Sequence, residues 1–270
     1  MASRDEAESP LLVNPSQANS GGGGGGGGGN NNVNKQIDWW KLLFRPCIAE
    51  FVGTTLFVFS GILASFNSGG VIDVALGHAF ALFVLVSITA NASGGHLNPA
   101  VTFGVFLSGA IAPGVALGYV ISQLVGGMVG AALTKGLATL PANVTITLNA
   151  PDISSGKAIG LETFLTCILV LTVLTVAIDT KGSNNLAPLA IGFAVGSGIL
   201  AGGNLSGASM NPARSLGPAV AYDSYENLYV YFVGPPLGGI LAALIYRFVL
   251  SSRKLPIPIY SSFKRGKDAL

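Results

Sequence analysis

Charged residues are scarce in this sequence of 270 residues. They make up 10% of the chain and hydrophobic residues 50%, whereas a soluble domain carries roughly 25% charged residues. This balance is typical of a membrane protein, and we expect the lipid bilayer to surround most of the chain. The formal net charge is only +2, and no dense basic stripe with interleaved aromatic residues is present. No nucleic-acid partner is therefore expected.

Cysteine and histidine are also rare, with two residues of each. Cys47 and Cys167 lie within or beside apolar stretches, where free cysteine behaves as a small hydrophobic side chain. We therefore predict neither a disulfide nor a metal site. A run of nine glycines, Gly21 to Gly29, lacks the following Lys-Ser or Lys-Thr of a phosphate-binding loop. No nucleophile elbow is present either, so we expect no enzymatic activity and no cofactor.

Composition divides the chain into three parts. Residues 1 to 36 are rich in glycine and asparagine, and such a segment cannot bury enough apolar surface to order itself. We predict a disordered cytoplasmic tail there. Residues 37 to 252 carry the apolar segments, in two halves of about 46 to 140 and 158 to 250. Residues 253 to 270 are predicted to form a basic cytoplasmic tail.

Six apolar segments are long enough to cross the roughly 30 Å of hydrocarbon in a bilayer, which takes about 20 residues. The predicted spans are 46 to 65, 72 to 91, 113 to 137, 158 to 179, 186 to 203 and 228 to 250. Two further segments, 98 to 108 and 211 to 222, are too short to cross and begin with Asn-Pro. Because proline is favourable at the first turn of a helix, these segments indicate re-entrant half-helices.

The triplet Asn-Pro-Ala occurs twice, and 211 − 98 gives an offset of 113 residues. With three spans in each half, the second copy must enter from the opposite side of the membrane. The two half-helices then meet N-terminus to N-terminus near the midplane, where transport sites recur. We therefore predict an all-α membrane protein with six transmembrane helices and two re-entrant half-helices in an inverted repeat. The two triplets are Asn98, Pro99 and Ala100, and Asn211, Pro212 and Ala213.

Asn98 and Asn211 are candidate pore residues. Two half-helices that point their N-termini at one spot place roughly half a positive charge each there, which disfavours a cation or a proton. Each asparagine can cap its half-helix with its oxygen and aim its NH₂ group into the lumen. A single copy is explained by capping alone, whereas two symmetric copies indicate a function in the lumen.

Basic residues flank the first and last spans. Lys35, Lys41 and Arg45 precede the first span, and Arg247 lies in the last one, ahead of the basic tail. Since basic residues collect on the cytoplasmic side, both termini are predicted to be cytoplasmic. The loop between spans three and four is then outside, and its Asn-Val-Thr sequon makes Asn143 a candidate glycosylation site.

The segments SGGHLNPAVTFG and SGASMNPARSLGPAV resemble the aquaporin, or major intrinsic protein, family, over about residues 46 to 250. RPCIAEF, ISQLVGGMVGAAL and IGFAVGSGILAGG resemble the aquaporin-eight branch of animals and its close relatives, the plant tonoplast aquaporins. The resemblance implies a homotetramer of passive channels for water, and also for hydrogen peroxide and ammonia, that exclude protons and ions. We expect a plasma-membrane protein, with a mitochondrial or vacuolar membrane as the alternative.

The resemblance also implies a constriction near the outer mouth, formed by His78, Ile199, Ala208 and Arg214. An arginine at membrane depth is expected to face a water-filled cavity; the alternative is a loop arginine near the headgroups. Without the resemblance, the other three would be ordinary core residues. A histidine and an alanine make an aperture wider and more polar than a strict water filter, which admits ammonia and hydrogen peroxide. Ser215 after Arg214 argues against glycerol conduction.

Three further residues are site candidates. By resemblance His96 lies at the cytoplasmic end of the pore; the alternative is a histidine on the cytoplasmic surface. Glu50 and Glu162, at an offset of 112, lie inside spans one and four, where ionisable groups are functional candidates. They either accept N–H groups from the re-entrant loops, which the symmetric offset favours, or couple protons. Two alternative functions stay open: a proton- or ion-coupled transporter of small solutes that uses these glutamates, and a junction or adhesion protein on the same fold.

Overall fold

The structure, a computed structural model, describes residues 38 to 67, 69 to 138, 153 to 179 and 185 to 251. All regular secondary structure in these ranges is helical. Asn143 and the two predicted tails lie outside the described residues, so the statements about them stay predictions.

Six helices are long and apolar enough to cross a membrane, which confirms the predicted fold class. These are α1 Arg45–Phe66, α2 Val71–Ser93, α4 Pro113–Leu137, α5 Ser155–Val173, α6 Ala187–Ser206 and α8 Tyr229–Ile245. Single π-helical turns extend three of them, at Trp40–Phe44, Leu174–Ile178 and Tyr246–Leu250. The two half-helices are α3 Pro99–Ser108 and α7 Pro212–Ala221, with 10 residues each.

Proline and glycine set the ends of the helices around the two re-entrant loops. Pro99 and Pro212 occupy the first position of α3 and α7, where a missing N–H leaves no hydrogen bond unmade. Gly94 and Gly207 end α2 and α6 with φ of 94° and 82°. Glycine reaches this left-handed region without a Cβ clash, so the chain turns sharply from each span into its loop.

The two halves of the repeat interlock. Within each half, α1 packs against α4 and α5 packs against α8, and α2 meets α6 across the boundary between the halves. Each half-helix packs on the last span of the other half, α3 on α8 and α7 on α4. The first Asn-Pro-Ala segment is therefore supported by the second half of the chain, and the second segment by the first half.

Glycines allow the half-helices to approach these spans closely. A methyl group on Gly217 of α7 would fall on the backbone of Gly127 in α4. In the equivalent contact, a methyl group on Gly104 of α3 would lie 3.3 Å from the carbonyl oxygen of Gly239 in α8. Backbone contact at both places brings the N-termini of α3 and α7 into the centre of the helix bundle.

Candidate functional site

An asparagine caps each half-helix. Asn98 Oδ1 accepts a hydrogen bond from Ala100 N at 2.8 Å. Asn211 Oδ1 accepts one from Ala213 N at 2.9 Å and a longer one from Arg214 N at 3.3 Å. These bonds satisfy N–H groups that the first turn of a helix leaves unpaired. Both asparagines are buried, with 4% and 3% of their surface exposed.

The NH₂ groups of the two asparagines cross between the loops. Asn98 Nδ2 donates to Met210 O at 2.8 Å, and Asn211 Nδ2 donates to Leu97 O at 2.9 Å. We predicted that both NH₂ groups face the lumen. In the structure, one N–H of each asparagine instead donates to the other loop. Because an amide nitrogen carries two hydrogens, each asparagine keeps one for a molecule beside it.

The residue before each asparagine has an unusual backbone conformation. Leu97 has φ of 49° and Met210 has φ of 54°, a left-handed region that costs about 1 to 3 kcal/mol for such side chains. Two carboxylates hold this conformation, because Leu97 N donates to Glu50 Oε2 and Met210 N to Glu162 Oε2, both at 2.7 Å. The strain is located where the chain must present its asparagine.

Glu50 has three further donors, one at the end of α2, one on the first loop and one on α4. Its Oε1 accepts hydrogen bonds from Ser93 Oγ at 2.5 Å and His96 N at 2.9 Å. Gln123 Nε2 donates to Glu50 Oε2 at 2.7 Å and to Thr102 Oγ1 at 2.8 Å. Gln123 is not among the predicted site residues, although a long polar side chain inside a predicted span is a signal for one.

Glu162 occupies the equivalent place in the second half with one donor fewer. Its Oε1 accepts from Ser206 Oγ at 2.8 Å and from Ser209 N at 2.9 Å. The position equivalent to Gln123 is 123 + 112 = 235, which is Pro235, and proline has no side-chain donor. From the described residues Glu50 thus receives four hydrogen bonds and Glu162 three.

Two tyrosines fix the loops at their other end. Tyr119 OH donates to Ser93 O at 2.8 Å, and Tyr231 OH donates to Ser206 O at 2.6 Å. The tyrosines stand 231 − 119 = 112 positions apart, the same offset as the glutamates. The two tyrosines are not among the predicted site residues, although this shared offset is a signal for them.

Hydrogen bonds connect three residues of the predicted constriction. Arg214 Nε donates to His78 Nε2 at 2.9 Å, and Arg214 Nη1 donates to Ala208 O at 2.9 Å. Ile199 is 1% exposed and belongs to the same buried apolar cluster as Ala208. Arg214 is buried, with 8% of its surface exposed, and its guanidinium is anchored in the protein by these hydrogen bonds.

The hydrogen bonds of His78 determine its tautomer. His78 Nδ1 lies 2.9 Å from Val74 O, an atom that only accepts, so Nδ1 carries the hydrogen. Nε2 must then be the acceptor for Arg214, because a guanidinium only donates. His78 is therefore a neutral side chain that orients the arginine.

A narrow cavity runs past the asparagine pair. The centre of a water molecule can occupy about 10 Å³ of this cavity, which is close to the space that one water needs. One wall is polar and comes from the two loops; the other is apolar and comes from α1, α2, α3, α5 and α6. The lining residues are Gly95, His96, Asn98, Ser209 and Asn211 on the polar side, and Phe57, Leu82, Val101, Leu169, Val173, Ile191 and Val195 on the apolar side.

His96 lines this cavity, whereas the four constriction residues are not part of its lining. His96 Nδ1 lies 3.1 Å from Thr102 Oγ1, and His96 Nε2 has no hydrogen-bond partner among the described residues. The ring packs edge-on against Tyr119, with 5.3 Å between ring centroids. Within the same ranges, no three histidine, cysteine, aspartate or glutamate side chains could together hold a metal ion.

Comparisons with known proteins identify the family. The model of the family described as Major intrinsic protein matches residues 37 to 246. The chain belongs to the major intrinsic protein family. Members of this family are non-enzymatic transporters, which confirms the prediction that the chain is not an enzyme. The chain is accordingly a multi-pass integral membrane protein and a passive channel for water and small solutes.

Similar proteins include plant aquaporins and one solved channel. The chain is 44% identical over 215 residues to the probable aquaporin TIP2-2 of Oryza sativa subsp. japonica, covering 75% of this chain and 86% of the relative. It is 42% identical to aquaporin TIP2-1 of Arabidopsis thaliana, covering 81% and 92%. The X-ray structure of the aquaglyceroporin from Plasmodium falciparum superposes with a TM-score of 0.68 at 29% identity, covering 77% and 96%. The predicted resemblance to the plant tonoplast group is confirmed, and that to the animal branch stays a prediction.

Proposed function

We propose that the chain conducts water, hydrogen peroxide and ammonia and excludes protons and ions. The observation that carries this proposal is the narrow cavity with one polar wall, at the point where two asparagine-capped half-helices meet. A continuous apolar wall limits the number of hydrogen bonds along the path. Uncharged solutes that form hydrogen bonds with the polar wall alone fit this lining best.

Electrostatics support the exclusion of ions. Asn98 and Asn211 mark the positive ends of α3 and α7, roughly half a charge each. The carbonyl oxygens of Leu97 and Met210 accept the asparagine N–H groups, which leaves them less available to replace water around a cation. Arg214 adds a full positive charge at the constriction. A cation therefore meets positive potential at two successive places and finds few free acceptors.

The constriction supports the choice of neutral solutes. His78 and Arg214 provide a polar side, and Ala208 adds only a methyl group. Ammonia and hydrogen peroxide, like water, can accept from the guanidinium and are small enough for such an aperture. Ser215, directly after Arg214, is 2% exposed and its Oγ lies 2.6 Å from Ser209 Oγ, so this hydroxyl is occupied within the protein.

The contacts of Glu50 and Glu162 support a structural role over proton coupling. Each carboxylate is fully buried and accepts two backbone N–H groups of its loop. Protonation would remove an acceptor and release a strained residue, Leu97 or Met210. Both glutamates are therefore assigned to supporting the loops, and no contact in the described residues favours the coupled-transporter or adhesion alternatives.

The wider organisation is also part of the proposal. Residues 37 to 252 form the channel domain, between two cytoplasmic tails, and four copies assemble into a homotetramer with one pore in each. With both termini cytoplasmic, the arginine constriction faces away from the cytoplasm and His96 faces it. The relatives named TIP support the vacuolar alternative over the plasma membrane.

Stopped-flow measurements on proteoliposomes test the function directly. We expect rapid swelling or shrinking with water, uptake of hydrogen peroxide and methylammonium, little glycerol uptake, and no response to a pH gradient. Water permeability no higher than that of empty vesicles would contradict the channel. Uptake that saturates and follows the pH gradient would instead support the coupled transporter.

A further inference from the structure

Gly61 of α1 lies directly against the ring of His78. A Cβ atom built on Gly61 would be 2.5 Å from His78 Nε2, 3.0 Å from Cδ2 and 3.2 Å from Cε1. The first distance is shorter than real Cβ contacts allow. Residue 61 therefore has to be glycine for the ring to occupy its present position.

The atom that Gly61 leaves unobstructed is the acceptor for Arg214. Arg214 Nε donates to His78 Nε2 at 2.9 Å. The ring has little room to retreat, because His78 is 1% exposed and Phe57 packs edge-on against it, with 5.8 Å between centroids. Phe57 lies one helical turn before Gly61. Helix α1 therefore provides both the aromatic ring that packs against His78 and the space that the His78 ring occupies.

The equivalent place in the second half shows that a side chain is tolerated there when no ring faces it. Position 61 + 112 = 173 is Val173, and position 78 + 113 = 191 is Ile191. Both line the cavity. The glycine thus occurs in the half that has a histidine, and a branched side chain occurs in the half that does not.

We propose that Gly61 is a positioning residue that sets solute selectivity through His78 and Arg214. The inference rests on the proposed function, since it assumes that these two residues form the constriction. A methyl group at position 61 displaces the ring and removes the acceptor of Arg214 Nε. The guanidinium then has as acceptors only Ala208 O and Gly207 O, which lie 2.9 Å and 3.5 Å from Nη1 in the structure. The displaced imidazole and guanidinium would both move into the aperture.

The test compares Gly61→Ala with Gly160→Ala in proteoliposomes. Both changes replace a helical glycine and gain similar helix propensity, but a Cβ on Gly160 meets no atom within 4 Å. We expect the ratio of methylammonium to water permeability to change by about threefold or more in Gly61→Ala, which corresponds to about 0.7 kcal/mol. Gly160→Ala should keep the wild-type ratio. An unchanged ratio in Gly61→Ala would overturn the proposal.

A double variant distinguishes steric positioning from general damage. In a His78→Ala background the ring is absent, so adding Gly61→Ala should leave the permeability ratio of His78→Ala unchanged. If Gly61→Ala alone fails to fold, recovery of a monodisperse protein in the double variant supports the clash with His78, and failure of both overturns it. A wild-type protein without water conduction would contradict the proposed function itself, whereas conduction with additive effects of the two changes would contradict only the role of Gly61.

Discussion

Equivalent positions of the two halves carry different side chains around the asparagine pair. The residues of the proposed constriction, which we call the arginine end, are His78, Ile199, Ala208 and Arg214. At the offset of 113 the other half places Ile191, Val86, Gly95 and Val101, which we call the apolar end. All four residues of the apolar end are buried, and three of them line the cavity.

This difference indicates which parts of the repeat the fold requires. The caps, the left-handed residues and the carboxylate contacts occur in both halves at similar distances. The side chains at the two ends differ most at two positions, where His78 and Arg214 correspond to Ile191 and Val101. A charge at membrane depth is costly, so one arginine costs less than an arginine in each half would.

Replacing Arg214 by valine makes the arginine end resemble the apolar end and has the largest expected effect. Two unit charges about 4 Å apart repel each other by roughly 4 kcal/mol at an effective dielectric constant of 20. Loss of the Arg214 charge should therefore lower the barrier to cations and raise the cation leak by roughly 100-fold or more. Conductance of planar bilayers or voltage-clamped cells measures this leak. Val101→Ala is the matched control, because it widens the equivalent place without removing a charge. Equal leak from both variants would show that width, and not charge, excludes ions.

The asparagines test the symmetric part of the comparison. Asn98→Ala removes a cap and leaves Met210 O without its donor, and Asn211→Ala does the same to Leu97 O. We expect each change to lower the free energy of unfolding by about 2 to 4 kcal/mol, measured by chemical unfolding in detergent. Asn98→Asp and Asn211→Asp keep the capping oxygen but lose the donor, and they separate the two contributions. A large difference between the two alanine variants would contradict the equivalence of the loops.

Gln123 tests the place where the halves differ in support. Gln123→Met keeps the length of the side chain and removes the donor to Glu50 and Thr102. We expect the free energy of unfolding to fall by about 1 to 3 kcal/mol, because buried acceptors lose a partner. Water permeability should change little, since Glu162 holds its loop without an equivalent donor. A strong loss of permeability with unchanged stability would instead place Gln123 in the conducting path.

The sequence predicted the features that depend on local pattern. Apolar runs and the two Asn-Pro-Ala segments determined six spans and two half-helices, and the bounds agree with the structure to within a few residues for most elements. The offset of Glu50 and Glu162 pointed to their contacts with the loops. Each of these signals lies within one segment or in a simple repeat.

Contacts between distant segments were not predictable in the same way. Asn98 and Met210 are 112 residues apart, and nothing in either segment indicates that the amide of one meets the carbonyl of the other. Gly61 and His78 lie on adjacent spans, but their contact depends on the rotation of both helices about their axes. Apolar spans carry little polar contrast between their faces, so the sequence gives no measure of that rotation.

The exchange of half-helices between the two halves has a consequence for the order of synthesis. Ribosomes make the chain from its N-terminus, so α3 is complete long before α8, the last span, on which it packs. Until Tyr229–Ile245 enters the membrane, the first half-helix lacks its glycine contact, and Asn98 lacks Met210 until the second loop is made. The first half-helix therefore gains these contacts only late in synthesis, whereas α7 finds its partner α4 already made.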